Sequence, residues 1–254
     1  IIKMSELTDK PFAVNLPLMF LKDDSMLNFC VDHGVNFVTT SAGDPSKYIH
    51  KLKEANITVY HAVPSLDGAI KAANAGVDGL VVEGTEGGGF KGMEEVGLFV
   101  LLQSIKQHID LPMIAAGGIA DGIGMAAAFA AGAEGIQMGT RFVSSIESPV
   151  HNNFKDSIVS AKINGTLLLN KKSKPIIRAL KTELTHKIDE AGIMDMTALS
   201  GIKDLYFNGE MNAAPALSGQ SSGLIDEIKS VKDIIQLTIS EFNDTCNKMS
   251  NYSL

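Results

Sequence analysis

One device recurs through the first half of this 254-residue chain. An amphipathic stretch ends, a turn follows, and about five apolar, β-branched residues come next. "HGVNFV", "ANITVY", "AGVDGLVV" and "AGAEGIQM" are four copies of it. The apolar runs are Phe12–Leu16, Val35–Thr39, Ile57–Val63, Gly79–Val82, Pro112–Ala116 and Gly135–Met138. Their shortness, their branched residues and their Gly, Pro or Asp borders mark buried parallel strands. Between them lie the helical stretches Ser25–His33, Ser46–Ala55, Leu66–Ala75, Val96–His108 and Ile123–Ala131. Gly34, Gly76 and Gly132 follow three of these as C-terminal caps. Repeating βα units of this size predict an α/β fold, either a (β/α)8 barrel or a doubly wound sheet.

The pattern ends near Arg141. Residues 150–254 show helical periodicity and no convincing strand. "KSKPIIRALKTELTHKIDEAG" predicts a helix opening near Pro175 and closing near Gly192. "NAAPALSGQSSG" reads as a loop, and "LIDEIKSVKDIIQLTISEFNDTCNKM" as a long amphipathic helix. The expected organisation is a β/α barrel portion over 1–149 and a C-terminal helical segment over 150–254 that packs over the barrel mouth.

Composition narrows the function classes. With 22 basic and 29 acidic residues the net charge is −7, a poor match to general nucleic-acid or anionic-membrane binding. No apolar run approaches the ~18 residues of a membrane helix. The two cysteines, Cys30 and Cys246, form neither a disulfide framework nor a metal-ligand spacing. No metal site is expected. No charged n-region followed by an apolar h-region stands at Ile1, so Ile1 is not expected to open a signal peptide, and the expected location is cytoplasmic.

Three glycine-bearing segments follow three successive strands. They are Glu83–Gly92 ("EGTEGGGFKG"), Ala115–Gly122 ("AAGGIADG") and Gln137–Arg141 ("QMGTR"). Ligands of parallel α/β folds sit at the C-terminal ends of strands. Glycine there lets a ligand approach the backbone and leaves N–H groups for an anion. The segments match neither a GxGxxG fingerprint nor a P-loop. Together they point to a phosphate-bearing ligand.

"VVEGTEGGGFKG", "PMIAAGGIADGIGMAAAFAAGAEGIQMGTRF", "ESPVH", "LTDKPFAVNLPL", "TSAGDP" and "SGQSSGLI" resemble the nitronate monooxygenase family, also called 2-nitropropane dioxygenases. The related FMN-dependent enoyl-acyl-carrier-protein reductases share most of these motifs. The resemblance implies a TIM-type (β/α)8 barrel holding FMN at its strand ends. It implies that Asn15 contacts the flavin and that Glu83 lies beside the isoalloxazine edge, where a carboxylate can accept from N3–H. It further implies that Gly88 approaches the flavin. Gly117, Gly118, Gln137, Met138, Gly139 and Thr140 correspond to the phosphate and ribityl grip. Set against the family pattern, the visible strands are expected to be strands 3 to 8 of the barrel, with the first two lacking from this chain. About 50 further N-terminal residues are expected on that reading, scaled from βα units of barrel size.

Phe90 stands where the family usually carries His. A phenyl ring moves no proton and can only pack or shape a pocket. His61, at the end of "ITVYHAV", is the nearest alternative base by position, or else a structural histidine. His33 reads as a helix C-terminal residue, and His151 either lies near the phosphate loop or begins a helix. Arg141 either offsets phosphate charge or pairs within the protein. Lys91 has no support beyond its loop position.

The resemblance therefore implies an FMN-dependent oxidoreductase acting on alkyl nitronates with O2. The alternatives are an NAD(P)H-dependent enoyl-thioester reductase, or a flavin-binding or phosphate-binding protein without turnover. The expected partners are a small substrate (nitronate or enoyl thioester) and O2, with no nucleic acid or membrane, in a possible homodimer.

Overall fold

The computed structural model describes residues 1–252. Its strands are β1 (Ala13–Pro17), β2 (Phe37–Ser41), β3 (Thr58–Val63), β4 (Gly79–Glu83), β5 (Gly89–Lys91), β6 (Met113–Ala116), β7 (Gly135–Gln137), β8 (Thr166–Leu169) and β9 (Ile176–Leu180). Its helices are α1 (Ile2–Leu7), α2 (Ser25–Asp32), α3 (Ser46–Glu54), α4 (Leu66–Ala75), α5 (Leu98–Lys106), α6 (Gly122–Ala130), α7 (Thr140–Val143), α8 (Asn152–Val159), α9 (Glu183–Ala191) and α10 (Val231–Ser250). Among the described residues no helix is long and apolar enough to cross a membrane.

The six expected strands form one parallel sheet in the order β1-β2-β3-β4-β6-β7. With helices alternating between its strands it is an α/β half-barrel. Each register is continuous, as in Leu80 beside Met113 through Glu83 beside Ala116. The consequence is that β3, β4 and β6 end together, which delivers Glu83 and the glycines after Ala116 to one rim.

Local chemistry sets the helix ends. Ser65 caps α4 by accepting from the Gly68 backbone N–H at 3.1 Å, and Asp67 complements the dipole of the first turn. Gly76 closes α4 at φ +91°, a left-handed conformation that costs glycine no steric clash. Asp121 caps α6 in the same way, accepting from the Gly124 N–H at 2.7 Å.

The main core lies between the sheet and its helices. Leu27, Leu52, Leu80, Leu101, Leu102 and Ile105 are fully buried there. A second cluster, including Phe154, Ile158, Leu205 and Ile225, supports the C-terminal half.

That half is not purely helical, which corrects the expectation for residues 150–254. Ile176–Leu180 is strand β9 and not the start of a helix. All five of its residues are buried, so no polar alternation reveals the period. Pro175 precedes the first residue of a strand, where a missing N–H is tolerated. The helix begins only at Glu183, after a capping box between Thr182 and Thr185, and stops at Gly192. β9 pairs antiparallel with β8 and with β5, the strand formed inside the first glycine segment. This three-stranded sheet crosses the expected boundary at residue 150 and ties the C-terminal half to the rim of the parallel sheet.

Candidate active site

The segment 83–92 is the hub of the rim. The Gly84 N–H donates to the Ala116 carbonyl at 3.0 Å, and the Gly87 N–H donates to the Gly84 carbonyl at 3.1 Å. Gly117, at φ +92°, packs so closely that a Cβ would lie 2.9 Å from the Gly87 nitrogen. Gly118 lies against the Glu86 side chain. Glu86 is spent on structure: its carboxylate accepts from the Leu98 N–H at 3.0 Å and caps α5.

A fourth segment, "SGQSSG", joins the three found by sequence. A Cβ on Gly88 would meet the Ser218 carbonyl carbon at 2.5 Å. The Gly219 N–H donates to Thr140 Oγ1 at 3.0 Å, and the Gln220 N–H donates to the Glu86 carbonyl at 2.8 Å. Glycine is required here by backbone approach alone. Ser222 Oγ donates to the Gly219 carbonyl at 2.6 Å and fixes the turn.

A cavity of about 1150 Å³ opens beside this hub. His61, Glu83, Gly88 and Phe90 all line it, with Lys91, Asp44 and Lys71. Gly117 and Gly118 line instead a small hollow of about 170 Å³ against Leu98 and Leu102. Asn15, on the edge strand β1, is exposed and accepts from the Thr39 hydroxyl at 3.0 Å. Gln137 and Gly139 are exposed at the end of β7, with Met138 half-buried between them. Nothing lies within 4 Å of the place a Gly139 Cβ would take, so its backbone is open to a ligand. Thr140 is buried, and its hydroxyl already accepts from Gly219.

His61 is buried, and its Nδ1 lies 2.7 Å from the Thr40 hydroxyl. Burial pushes its pKa below the ordinary histidine value, and the Asp44 carboxylate and the Gly43 backbone only partly offset this. The imidazole is therefore held mostly neutral near pH 7.

Phe90 packs on the apolar cluster of Leu169, Ile177 and Met194, with its ring 6.1 Å from that of Phe20. Neighbouring strand residues point to opposite faces, so Lys91 turns the other way. It forms an ion pair with Glu83, and its side chain is 5% exposed. Burial, aided by nearby Arg178, lowers the Lys91 pKa, and the Glu83 carboxylate opposes that shift. Sequence reasoning passed over Lys91. The available signal was its alternation with Phe90 in a short strand, which is unreadable until β5 is known to exist.

Three other residues find structural partners. His151 caps α8, accepting at Nδ1 from the Asn153 N–H at 3.1 Å. His33 ends α2 with its ring on the Phe29 carbonyl at 2.9 Å. Arg141 donates to the Glu227 carbonyl at 2.7 Å. Among the described residues no group of three or more His, Cys, Asp or Glu is placed to hold a metal ion.

A family model described as nitronate monooxygenase matches residues 1–241. The chain is 34% identical over 194 residues to a Rhodococcus jostii (strain RHA1) protein, (3aS,4S,5R,7aS)-5-hydroxy-7a-methyl-1-oxo-octahydro-1H-indene-4-carboxyl-CoA dehydrogenase, covering 76% of this chain and 54% of that protein. It is 36% identical over 182 residues to a Staphylococcus aureus (strain MSSA476) protein named "Probable nitronate monooxygenase", covering 68% of this chain and 49% of that one. The chain thus spans about half the length of these two curated relatives. Among solved structures, FabK from Thermotoga maritima superposes with a TM-score of 0.94 at 41% identity, covering 99% of this chain and 82% of that chain.

Proposed function

The chain belongs to the nitronate monooxygenase family, and from that membership we propose an FMN-dependent oxidoreductase that oxidises alkyl nitronates with O2. The carrying observation is the convergence of four glycine-bearing segments on one rim beside a large cavity. The family implies a flavin, and the backbone geometry of the glycine segments supports a site for one. The open backbone at Gly139 and the left-handed Gly117 and Gly118 are places where a side chain would obstruct a ligand or the loop that receives it.

On this reading Gly117, Gly118, Gln137, Met138, Gly139 and Thr140 hold the phosphate and ribityl chain. Backbone N–H groups and a hydroxyl suit a phosphate without a dedicated lysine. Gly88 lets the ring system approach the backbone, while Asn15 and Glu83 contact its polar edge. When bound, the flavin supplies the electron transfer, and the protein supplies binding, orientation and electrostatics. Phe90 shapes the cavity and keeps water from it. A substrate that arrives already deprotonated needs no base at Phe90, which is why nitronates are favoured over neutral nitroalkanes. His61, neutral and tied to Thr40, lines the same cavity and is the residue best placed to accept a proton if one must move.

A second reading, an NAD(P)H-dependent enoyl-thioester reductase, draws support from two relatives. One is the 41% identity with FabK. The other is the Rhodococcus protein, whose named substrate is a CoA thioester. Anaerobic mixing with NAD(P)H separates the two readings. Rapid bleaching of the flavin supports the reductase, whereas no bleaching together with oxygen uptake on adding a nitronate supports the monooxygenase.

A further inference from the structure

We propose that Lys91 is the oxyanion anchor of the substrate site. Held on the Glu83 carboxylate in the cavity wall, its ammonium offers its remaining N–H donors to a planar, delocalised oxyanion, a nitronate or the enolate of a thioester. The inference deepens the flavoenzyme reading and rests on it.

The argument starts from donor counting. An ammonium carries three N–H donors. Glu83 Oε1 takes one, and among the described residues Nζ has no other hydrogen-bond partner. The side chain is 5% exposed, so solvent reaches the rest only through a small opening. Buried donors left unspent on a cation are costly, and a ligand that satisfies them recovers that cost. Lys91 is among the residues that line the cavity, as is the partly exposed Glu83 that holds its ammonium, so an anion entering the cavity comes within reach of the pair.

The backbone fixes this placement. In β5, Lys91 pairs with Ile176 and Phe90 with Ile177, which puts the phenyl on the apolar cluster and the ammonium on Glu83. Gly87 leaves the necessary space: a Cβ there would lie 2.5 Å from Glu83 Oε1 and 2.6 Å from Lys91 Nζ. Glu83 favours the charged lysine and opposes the burial that lowers its pKa. It also repels an incoming oxyanion. The two residues therefore act on anion binding with opposite signs, which a purely structural ion pair would not do.

The test is calorimetric titration of the purified flavoprotein with propionate, a redox-inert planar oxyanion, and with propionamide, its neutral isostere. Propionate binding is expected to weaken roughly tenfold or more in Lys91→Met, the scale of a charged hydrogen bond, with propionamide binding unchanged. It should stay weak in the Lys91→Met/Glu83→Gln double variant, persist in Lys91→Arg, and tighten in Glu83→Gln. Circular dichroism confirms that each variant is folded. Equal loss of both probes, recovery in the double variant, or weaker propionate binding in Glu83→Gln would overturn the proposal. So would loss of FMN from Lys91→Met with probe affinities unchanged, which would make Lys91 a flavin contact.

Turnover distinguishes the two sources of the oxyanion. Oxygen uptake with propane-1-nitronate reports one, and NAD(P)H oxidation with crotonyl-CoA the other. The KM of the active substrate should rise in Lys91→Met more than kcat falls, and an unchanged KM overturns the anchor. If neither substrate turns over, the proposed function fails, while calorimetry still decides the anchor independently.

Discussion

Arg178 donates from its Nε to the Thr85 carbonyl at 2.7 Å, joining the small antiparallel sheet to the loop that leaves β4. Its terminal nitrogen also reaches the Thr166 hydroxyl at 3.2 Å. The Arg178 side chain is buried, while Thr85 and Thr166 are half-buried. The rim of the parallel sheet is thus held from outside the βα repeat, by a residue of the C-terminal half.

Removing that clasp should be costly. Arg178→Met is expected to lower unfolding stability by about 1.5 to 3 kcal/mol, the scale of a hydrogen bond to a charged group. Arg178→Lys should recover only part of this, because a single ammonium cannot span both acceptors. Urea denaturation of the three proteins measures it, and equal midpoints would show that the clasp contributes nothing.

Two glycines separate scaffold from ligand contact. Gly88→Ala places a methyl group 2.5 Å from the Ser218 backbone and should destabilise by about 1 to 3 kcal/mol, since backbone cannot move aside as a side chain can. Gly139→Ala meets nothing within 4 Å and should leave stability within about 0.5 kcal/mol. Its methyl group should nevertheless weaken FMN retention if the flavin phosphate lies over that backbone. Flavin absorbance after exhaustive dialysis reads this directly, and full retention in Gly139→Ala would argue against the phosphate assignment.

His61 sets a pH dependence of stability. Burial depresses its folded pKa below the ordinary 6.5. As pH falls, the unfolded chain therefore takes up the proton first. The His61 contribution is fully present above that ordinary value and is lost as pH falls from there through the folded pKa. The stability difference between about pH 7.5 and pH 5.5 should be smaller in His61→Gln than in the parent protein. An identical difference in both would show that His61 titrates alike in the folded and unfolded chains.

How much of this was legible in the sequence varies with distance along the chain. The six parallel strands were, because each carries a short apolar run between amphipathic helices, and Gly34, Gly76 and Gly132 do adopt left-handed caps. The antiparallel sheet was not. β5 has only three residues and hides in a glycine-rich stretch, and β9 is buried on both faces, which erases the alternation that would identify it. The same gap concealed the Glu83–Lys91 pair. Two residues eight apart could be placed in contact only by knowing that one ends β4 and the other ends β5. The "SGQSSG" loop was recognised as a resemblance, but its approach to Gly88 and Thr140 is a tertiary contact with no local signature.

Phe90 leads to a substrate preference. Without a base at that position, neutral nitroalkanes should be used roughly 10² to 10⁴ times less efficiently than the corresponding nitronates, the usual worth of a placed base. Equal kcat/KM for 1-nitropropane and its nitronate would show that a base is present, and His61→Ala is then the first variant to make.

The central claim, an FMN-dependent nitronate oxidation, is tested most directly by oxygen consumption. Propane-2-nitronate is added to the purified, FMN-reconstituted protein in an oxygen electrode, without NAD(P)H. The account predicts steady oxygen uptake that saturates with nitronate and disappears when the flavin is removed. A protein that holds FMN yet consumes no oxygen with nitronate, or one that cannot be loaded with FMN at all, would contradict it.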